Sequence, residues 1–398
     1  MNESKYVYLD YAATTPMDPR AVKVYNASIK ENYGNSSSLH SIGQEAAKKL
    51  EKSREIVSSL INADQNDIFF TSSGTESDNL AIIGVALKNK KRGNHIITSS
   101  IEHHAVEKPC EYLEKNGFEV TFLPVDKYGL IDIRNLEEAI TDKTILISIM
   151  FANNEIGTIE PIKEIGSIAK QHDILFHTDA VQAFGKIPID VNELNIDLLS
   201  ASSHKIYGPK GVGMLYLRNK GDRKGFGKYI QPILYGGGHE RNLRPSTVNV
   251  PGIAAFAKAV ELAKEEMPDE IKRLSALRDK IIRNITETID DSFLNGHPTK
   301  RLPNNVNISI QYIEGESMVL DLDFEGIGVS TGSACSSKSL DPSHVLLATG
   351  LKPQDAHGSL RVTLGRFTTE KEIDLFLQKF PPIVERLRKM SPLTREKP

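Results

Sequence analysis

The chain has 398 residues, of which 39% are hydrophobic and 25% are charged, and its formal net charge is −3. This length and composition are typical of a globular protein with a large core that is divided between two domains. The small negative charge argues against nucleic-acid binding, which requires a marked basic excess, and the densest apolar run, residues 145–152, is too short to span a bilayer.

The chain contains two cysteines, Cys110 and Cys335. Two thiols in a chain of this length do not make a disulfide framework, which favours a reducing compartment. Residues 1–16 contain no basic segment followed by an apolar stretch, so no signal peptide is expected. We therefore expect a cytoplasmic protein.

The first predicted element is a helix over residues 43–61, whose apolar face holds Ala47, Leu50, Val57, Leu60 and Ile61. Short apolar runs then alternate with helical segments. The predicted strands are 68–71, 95–99, 144–152, 174–178, 198–202 and 212–217, and the predicted helices between them are 75–90, 104–116 and 161–171. This alternation predicts a mostly parallel sheet covered by helices on both faces, with ligands at the carboxyl ends of the strands.

The last part of the chain has a different pattern. A turn-rich stretch at 236–246 precedes a long helix at 251–289, a strand at 305–310 and a helix after Thr369. We predict a large cofactor-binding domain over residues 16–260. Residues 1–15 and 261–398 are expected to form a smaller α+β domain that carries Cys335.

A lysine and a carboxylate lie at the ends of two predicted strands. Lys205 follows one strand together with Ser202 and His204, and Asp179 follows another. A desolvated lysine can form a Schiff base with a carbonyl cofactor, and a carboxylate can pair with a pyridinium nitrogen. The pair therefore predicts a pyridoxal phosphate enzyme. A solvated loop lysine and an aspartate that caps a helix are the alternatives.

Other candidate residues also follow predicted strands. The backbone N–H groups of Gly74 and Thr75 and the Thr75 hydroxyl can bind a phosphate, although an ordinary capped turn is the alternative. His103 can stack on a heteroaromatic ring and move protons, or be a surface histidine at a helix start. Asn154 can hydrogen-bond a phenolic oxygen of the cofactor, or belong to a polar turn.

Two further residues are candidates for the reaction itself. Cys335 lies in a stretch of small polar residues, which suits a mobile nucleophile, whereas Cys110 opens a helical segment and is interpreted as structural. Arg361 lies in a strand-like pattern and can bind a substrate carboxylate through two hydrogen bonds. A salt-bridged surface arginine is the alternative for Arg361.

The order and spacing of these residues resemble the cysteine desulfurases that supply sulfur for iron–sulfur clusters. That family consists of fold-type I pyridoxal phosphate enzymes of the class V aminotransferase type. The similarity runs from Tyr8 to Thr369 and is most specific at residues 202–205, 236–241 and 332–335. The chain departs from the family at Ser36, where proline is usual, and at Ser73 and Ser246, where glycine is usual.

The resemblance implies a homodimer that converts L-cysteine to L-alanine and leaves a persulfide on Cys335. Lys205 would carry pyridoxal 5′-phosphate, whose other contacts would be Gly74, Thr75, His103, Asn154, Asp179, Gln182, Ser202, His204 and, from the neighbouring subunit, Thr247. The substrate carboxylate would be bound by Asn35, Asn154 and Arg361. An iron–sulfur scaffold protein would accept the sulfur, and Cys335 would be a possible shared cluster ligand in that complex.

Two other functions compete with this one. A selenocysteine lyase is the nearest alternative enzyme, and the length of the loop after Cys335 favours the desulfurase. A non-catalytic scaffold-type protein could keep the same fold, but the presence of both Lys205 and Cys335 argues against it.

Overall fold

The computed structural model describes residues 6–219, 229–331 and 342–392. Its strands are β1 (Val7–Tyr8), β2 (Ile68–Thr71), β3 (His95–Ser99), β4 (Glu119–Leu123), β5 (Thr144–Ser148), β6 (Leu175–Asp179), β7 (Leu198–Ser202), β8 (Gly213–Leu217), β9 (Ser292–Leu294), β10 (Asn305–Ile310), β11 (Ile327–Gly328) and β12 (Ser359–Thr363). Its helices are α1 (Pro19–Glu31), α2 (Ser41–Ser59), α3 (Gly74–Asn89), α4 (His104–Glu114), α5 (Ile133–Ala139), α6 (Ile162–Gln171), α7 (Val250–Thr288), α8 (Gly315–Phe324), α9 (His344–Ala348), α10 (Pro353–His357) and α11 (Glu370–Met390).

Within the described residues, seven strands form one large sheet in the order β2-β8-β7-β6-β5-β3-β4. Strand β8 is antiparallel to both of its neighbours, and the other neighbouring pairs are parallel. Six strands therefore run in one direction, and their carboxyl ends meet at one edge of the sheet. The prediction of a mostly parallel sheet is confirmed.

The large sheet is covered on both faces. Strands β3, β5, β6 and β7 are buried along their whole length, which explains their nearly continuous apolar runs. One apolar cluster fills the face under α3 and α4, and another fills the face under α2, α6 and the first half of α7. Two rigid layers of helices thus hold the strand ends in place.

A smaller α+β unit is built around its own core. Strands β12, β10 and β9 form an antiparallel sheet, and β1 pairs in parallel with β11. The core of this unit also takes in α8, α11 and the second half of α7. The predicted combination of a large sheet and a smaller α+β unit is confirmed.

The long helix α7 belongs to both cores. Ile253 and Phe256 pack in the core of the large sheet, whereas Leu277 and Ile281 pack in the core of the smaller unit. The predicted division at residues 260–261 falls inside this continuous helix, and we retain it as a proposal.

Three sequence expectations need correction. Ala46, not Ala47, lies on the buried face of α2, since the buried residues follow the spacing 46, 50, 53 and 57. The helix ends at Ser59, so Leu60 is its cap and Ile61 lies beyond it. The elements that were not predicted are strands β1, β4, β9 and β11 and helices α1, α5, α8, α9 and α10. None of the helices in the described ranges is both long enough and apolar enough to cross a membrane.

Candidate active site

The predicted site residues gather around one cavity of about 400 Å³ at the carboxyl edge of the large sheet. The predicted residues that line the cavity are Gly74, Thr75, His103, Asn154, Asp179, Gln182, Ser202, His204, Lys205 and Arg361. They come from distant parts of the sequence; the parallel strands of the large sheet bring all of them to the same place except Arg361, which comes from β12.

Lys205 lies in a short 3-10 turn, Ser203–Lys205, directly after β7. Its Nζ donates hydrogen bonds to the carbonyl oxygens of Ala12 (2.6 Å) and Ala13 (2.8 Å). The N-terminal segment is fixed in turn, because the N–H and the hydroxyl of Thr15 both donate to the carbonyl of His204. Lys205 is therefore not a solvated loop charge but an amine held at the wall of the cavity.

Asp179 is the last residue of β6, and its side chain is buried. Burial raises the pKa of its carboxyl to about 6, while the Val181 N–H and the nearby Lys205 act in the opposite direction. The Val181 N–H donates to Asp179 Oδ1 at 2.8 Å, so the capping alternative describes one real contact. A cationic N–H in the cavity would hold this carboxyl in its ionised form.

Asp78 is a second buried carboxyl at the same cavity, and it was not among the residues predicted from the sequence. Burial and the charge of Asp179 raise its pKa well above the usual range. His177 Nε2 lies 3.6 Å from Asp78 Oδ1. The sequence pattern that could have predicted this role is the position of Asp78 four residues after Gly74 in a mainly apolar helix. Residues four apart share a helix face, so Asp78 lies on the same face as Gly74.

The N-terminus of α3 forms the part of the cavity that suits an anion. Ser73, not Thr75, is the cap of this helix, and its hydroxyl accepts the Glu76 N–H at 3.1 Å. The N–H groups of Gly74 and Thr75 precede the first intrahelical hydrogen bonds and sit at the positive end of the helix dipole. A Cβ at Gly74 would lie 2.6 Å from Val181 Cγ2, so the close approach here requires glycine.

Two histidines at the cavity are held in their neutral form. Burial, followed by the charge of Lys205, lowers the pKa of His103 to about 4, and the same two causes lower that of His204 to about 4. His103 Nδ1 accepts the Ala105 N–H at 3.0 Å and thereby caps α4. His204 Nδ1 lies 3.0 Å from Thr14 Oγ1. His103 is thus at a helix start, but it faces the cavity.

Arg361 enters the cavity from β12 and is only 3% exposed, so it is not a surface arginine. Its Nη2 pairs with Asp10 Oδ1 at 2.9 Å, and its Nη1 donates to the carbonyl of Asn154 at 3.1 Å. Asp10 was also missed from the sequence. An acidic residue between Leu9 and Tyr11 in an otherwise apolar strand-like segment was its signal.

Gln182 links its part of the cavity wall to the N-terminal segment and to Lys186 behind the wall. Its Nε2 donates to the carbonyl of Ala12 at 3.0 Å, and its Oε1 accepts from Lys186 Nζ at 2.9 Å. Burial, together with the charge of Lys205, lowers the pKa of Lys186 to about 7. The side chain of Gln182 is therefore already held in one orientation.

Three predicted residues are not brought to the cavity by the described chain. Asn35 and Thr247 are exposed and do not line it, so their predicted roles stay predictions. Cys335 lies outside the described residues. Cys110 is fully buried in the core of the large sheet, as predicted.

This set of groups fits pyridoxal 5′-phosphate. The cofactor has an aldehyde that suits the Lys205 amine, a ring nitrogen that suits Asp179, a ring face that suits His103, and a phosphate that suits the N-terminus of α3. The large mixed sheet with this cavity at its carboxyl edge is the fold-type I arrangement. Fold and site together define the chain as a fold-type I pyridoxal phosphate enzyme.

Comparison with known proteins gives the family. The chain belongs to the class-V aminotransferases, whose family model matches residues 7–376.

Several similar proteins bear the name cysteine desulfurase IscS. The one from Clostridium botulinum is 54% identical over 392 residues, which cover 98% of this chain and 97% of that protein. Cysteine desulfurase IscS 1 of Archaeoglobus fulgidus is 52% identical over 388 residues, 98% of this chain and 99% of that protein. A solved structure of a NifS-like protein matches with a TM-score of 0.89 at 39% identity, covering 96% of this chain and 100% of the other.

Proposed function

We propose that the chain is a pyridoxal phosphate-dependent cysteine desulfurase that converts L-cysteine to L-alanine and transfers the sulfur to Cys335. The observation that carries this proposal is the single cavity shared by the Lys205 amine, the buried Asp179 carboxyl and the buried Arg361 guanidinium. The near full-length identity to proteins named cysteine desulfurase supports the choice of substrate.

We assign the cofactor contacts from the geometry described above. Lys205 would bind the aldehyde carbon, Asp179 the ring nitrogen, and the N-terminus of α3 the phosphate, with Ser202 and His204 beside it. Gln182 and Asn154 would lie near the phenolic oxygen. When bound, the cofactor withdraws electrons from the substrate Cα. Asp179 supports that withdrawal because its negative charge keeps a proton on the ring nitrogen.

The substrate carboxylate would bind between Arg361 and Asn154. The Arg361 guanidinium is held in place by Asp10, so its orientation is set before the substrate arrives. A planar guanidinium can bind both oxygens of a carboxylate, which fixes Cα over the cofactor ring. Asn35 would add a further contact to this carboxylate.

Proton transfer at the substrate would be carried out by Lys205 and His103. Both line the cavity, and His103 is neutral at physiological pH because its pKa is about 4. A neutral imidazole can accept a proton from the substrate and return it to carbon.

Cys335 would receive the sulfur. Its thiolate forms a bond with the substrate sulfur while the bond between that sulfur and Cβ breaks. The electron pair of the broken bond stays with the three-carbon fragment, and the thiol proton of the substrate ends on Cβ. Alanine and a Cys335 persulfide therefore account for all atoms and electrons.

We also propose a cytoplasmic homodimer, in which Thr247 reaches the phosphate in the neighbouring subunit. An iron–sulfur scaffold protein would accept the sulfur, and Cys335 would be a possible ligand of a cluster shared with it. Light scattering after size exclusion tests the dimer. Transfer of ³⁵S from Cys335 to a candidate scaffold tests the acceptor.

Three variants test the reaction. Lys205→Ala should lose the visible cofactor band, and Cys335→Ala should keep the band but release no sulfide from cysteine in the presence of a reductant. Cys110→Ala is the matched control and should keep both, since Cys110 is buried away from the cavity. Full sulfide release by Cys335→Ala would reject the persulfide step and favour direct elimination, as in a lyase.

A further inference from the structure

A cluster of two imidazoles and a carboxylate lies beside the cofactor cavity and has no role in the proposed reaction. His104 and Glu107 are one turn apart in α4, and His344 is the first residue of α9. One potential ligand atom from each residue lies within 4.8 Å of the other two. The fold brings them together across 240 residues, so the cluster is not simply a neighbouring pair on one helix.

Two contacts hold the three side chains of this cluster close to one another. His104 Nδ1 lies 2.6 Å from Glu107 Oε2. The rings of His104 and His344 are stacked, with centroids 5.1 Å apart and an angle of 29° between their planes. Nitrogen atoms of two imidazoles and a carboxylate oxygen therefore lie within 4.8 Å of one another.

The ring of His344 is oriented by a hydrogen bond from one of its two nitrogens, as is usual for metal-binding histidines. Its Nε2 lies 2.9 Å from the carbonyl oxygen of Glu102, and a carbonyl can only accept, so the ring proton sits on Nε2. Neutral His344 then presents an unprotonated Nδ1. A backbone carbonyl that fixes the tautomer and orientation of an imidazole is the usual support for a metal ligand.

From this arrangement we propose that His104, Glu107 and His344 bind a divalent transition-metal ion of the zinc class. Two nitrogens and one oxygen suit zinc, cobalt or nickel and disfavour magnesium and calcium, which prefer oxygen ligands. Three protein ligands leave a fourth position open to water or a thiolate.

Binding requires only small movements. Zinc–nitrogen bonds of about 2.0–2.1 Å place ligand atoms roughly 3.3 Å apart, so the widest pair must close by at most about 1.5 Å. The side chains of His104 and Glu107 are 36% and 24% exposed, so an ion can reach them from solvent. Lys108 Nζ is 3.8 Å from Glu107 Oε2 but pairs with Glu111 Oε1 at 2.7 Å, so it keeps that partner when the ion binds Glu107.

The ion would join two parts of the chain that border the active site. His104 follows His103, whose ring is 6.2 Å away, and His344 comes nine residues after Cys335. Occupancy therefore ties the chain that leaves the Cys335 stretch to the first turn of α4. This site is separate from the cofactor contacts, and its test does not depend on the proposed function.

The test is Zn²⁺ binding to the untagged holoenzyme, measured by calorimetry and equilibrium dialysis, with Co²⁺ visible absorption as a second readout. Cys335→Ser is used as the parent protein so that the thiol cannot bind metal. We expect one ion per chain in this parent. His104→Gln, Glu107→Gln and His344→Gln should each weaken binding at least about tenfold.

His172→Gln is the matched control, since His172 is exposed at the end of α6, and it should bind as the parent does. Circular dichroism identifies any variant that fails to fold. The metal affinities of the other two ligand variants then test the proposal. Absence of stoichiometric binding in the parent would overturn the proposal. An affinity equal to that of the parent in all three ligand variants would also overturn it.

Discussion

Replacing Glu240 with glutamine is expected to lower the free energy of unfolding by about 3–5 kcal/mol, because it leaves the buried Arg54 guanidinium with only the exposed Glu51 carboxylate as a counter-charge. The Glu240 carboxylate accepts from Arg54 Nη1 (2.9 Å), Arg54 Nη2 (2.8 Å) and the Phe70 N–H (2.7 Å). The two charged side chains are only 4% and 3% exposed. Glu240, in the turn at 236–246, therefore bonds both to Arg54 of α2 and to Phe70 of β2.

The expected loss in free energy of unfolding follows from the hydrogen bonds that a glutamine side chain cannot accept. Its NH₂ group would face a guanidinium that can only donate, so one hydrogen bond to a charged group is lost at about 1.5–3 kcal/mol. The weaker compensation of the Arg54 charge, which then comes only from the exposed Glu51, accounts for the rest. The effect extends toward the active site, because Arg244 in the same turn pairs with Glu76 at 2.7 Å, and Glu76 lies in the first turn of α3.

The assay is urea unfolding of the holoenzyme followed by circular dichroism, since the chain has no tryptophan. Glu51→Gln is the matched control: Glu51 lies 3.3 Å from the same Arg54 but is 56% exposed, so its loss should cost less than about 1 kcal/mol. Arg54→Met combined with Glu240→Gln should recover part of the loss, since the unpaired charge is gone. Equal effects of Glu240→Gln and Glu51→Gln would refute this reasoning.

Three further predictions concern the substrate, the backbone and pH. Arg361→Lys should reduce kcat/KM for cysteine about 10–100-fold, mainly by raising KM, because an ammonium cannot bind both carboxylate oxygens. An unchanged KM in steady-state sulfide assays would contradict this prediction. Ser246 has a φ of 105°, a conformation that glycine adopts without strain, so Ser246→Gly should raise the free energy of unfolding by about 1 kcal/mol. A lower free energy of unfolding for this variant, measured with urea, would argue against strain at Ser246. Burial lowers the pKa of His177 to about 3, below its unfolded value near 6.5, so the stability that it contributes is complete above pH 6.5 and falls as pH drops toward 3. Between pH 8 and pH 5 the wild type should therefore lose about 2 kcal/mol relative to His177→Gln, and parallel losses would exclude this role.

The sequence was most informative where polar residues interrupt buried strands. Asp179 and Lys205 each follow an apolar run, and a parallel sheet necessarily brings the ends of such runs to one edge. The strand positions and the carboxyl-edge location of the cavity could therefore be predicted without coordinates. Long periodic helices such as α7 were equally clear.

Elements without a continuous apolar pattern were missed. Strand β4 is an edge strand whose residues Glu119–Phe122 are exposed or half-buried, so it lacks the run that marks the central strands. Helix α5 has only seven residues, which is too short for a periodic pattern to stand out. Asp78 and Asp10 were missed for a different reason: their roles depend on contacts with Asp179 and Arg361 that only the tertiary fold creates.

The N-terminal segment shows most clearly how such contacts build the site. The N–H of Ala12 donates to Thr363 Oγ1 at 2.9 Å, while the carbonyl of Ala12 accepts from Lys205 Nζ at 2.6 Å. A single residue therefore joins β12, which carries Arg361, to the turn that carries Lys205. Because these contacts use the backbone, almost any small side chain at residue 12 would serve, and sequence patterns for charged or apolar residues cannot reveal them. The positions of the amine and of the guanidinium strand are thus coupled through the main chain of one residue, Ala12.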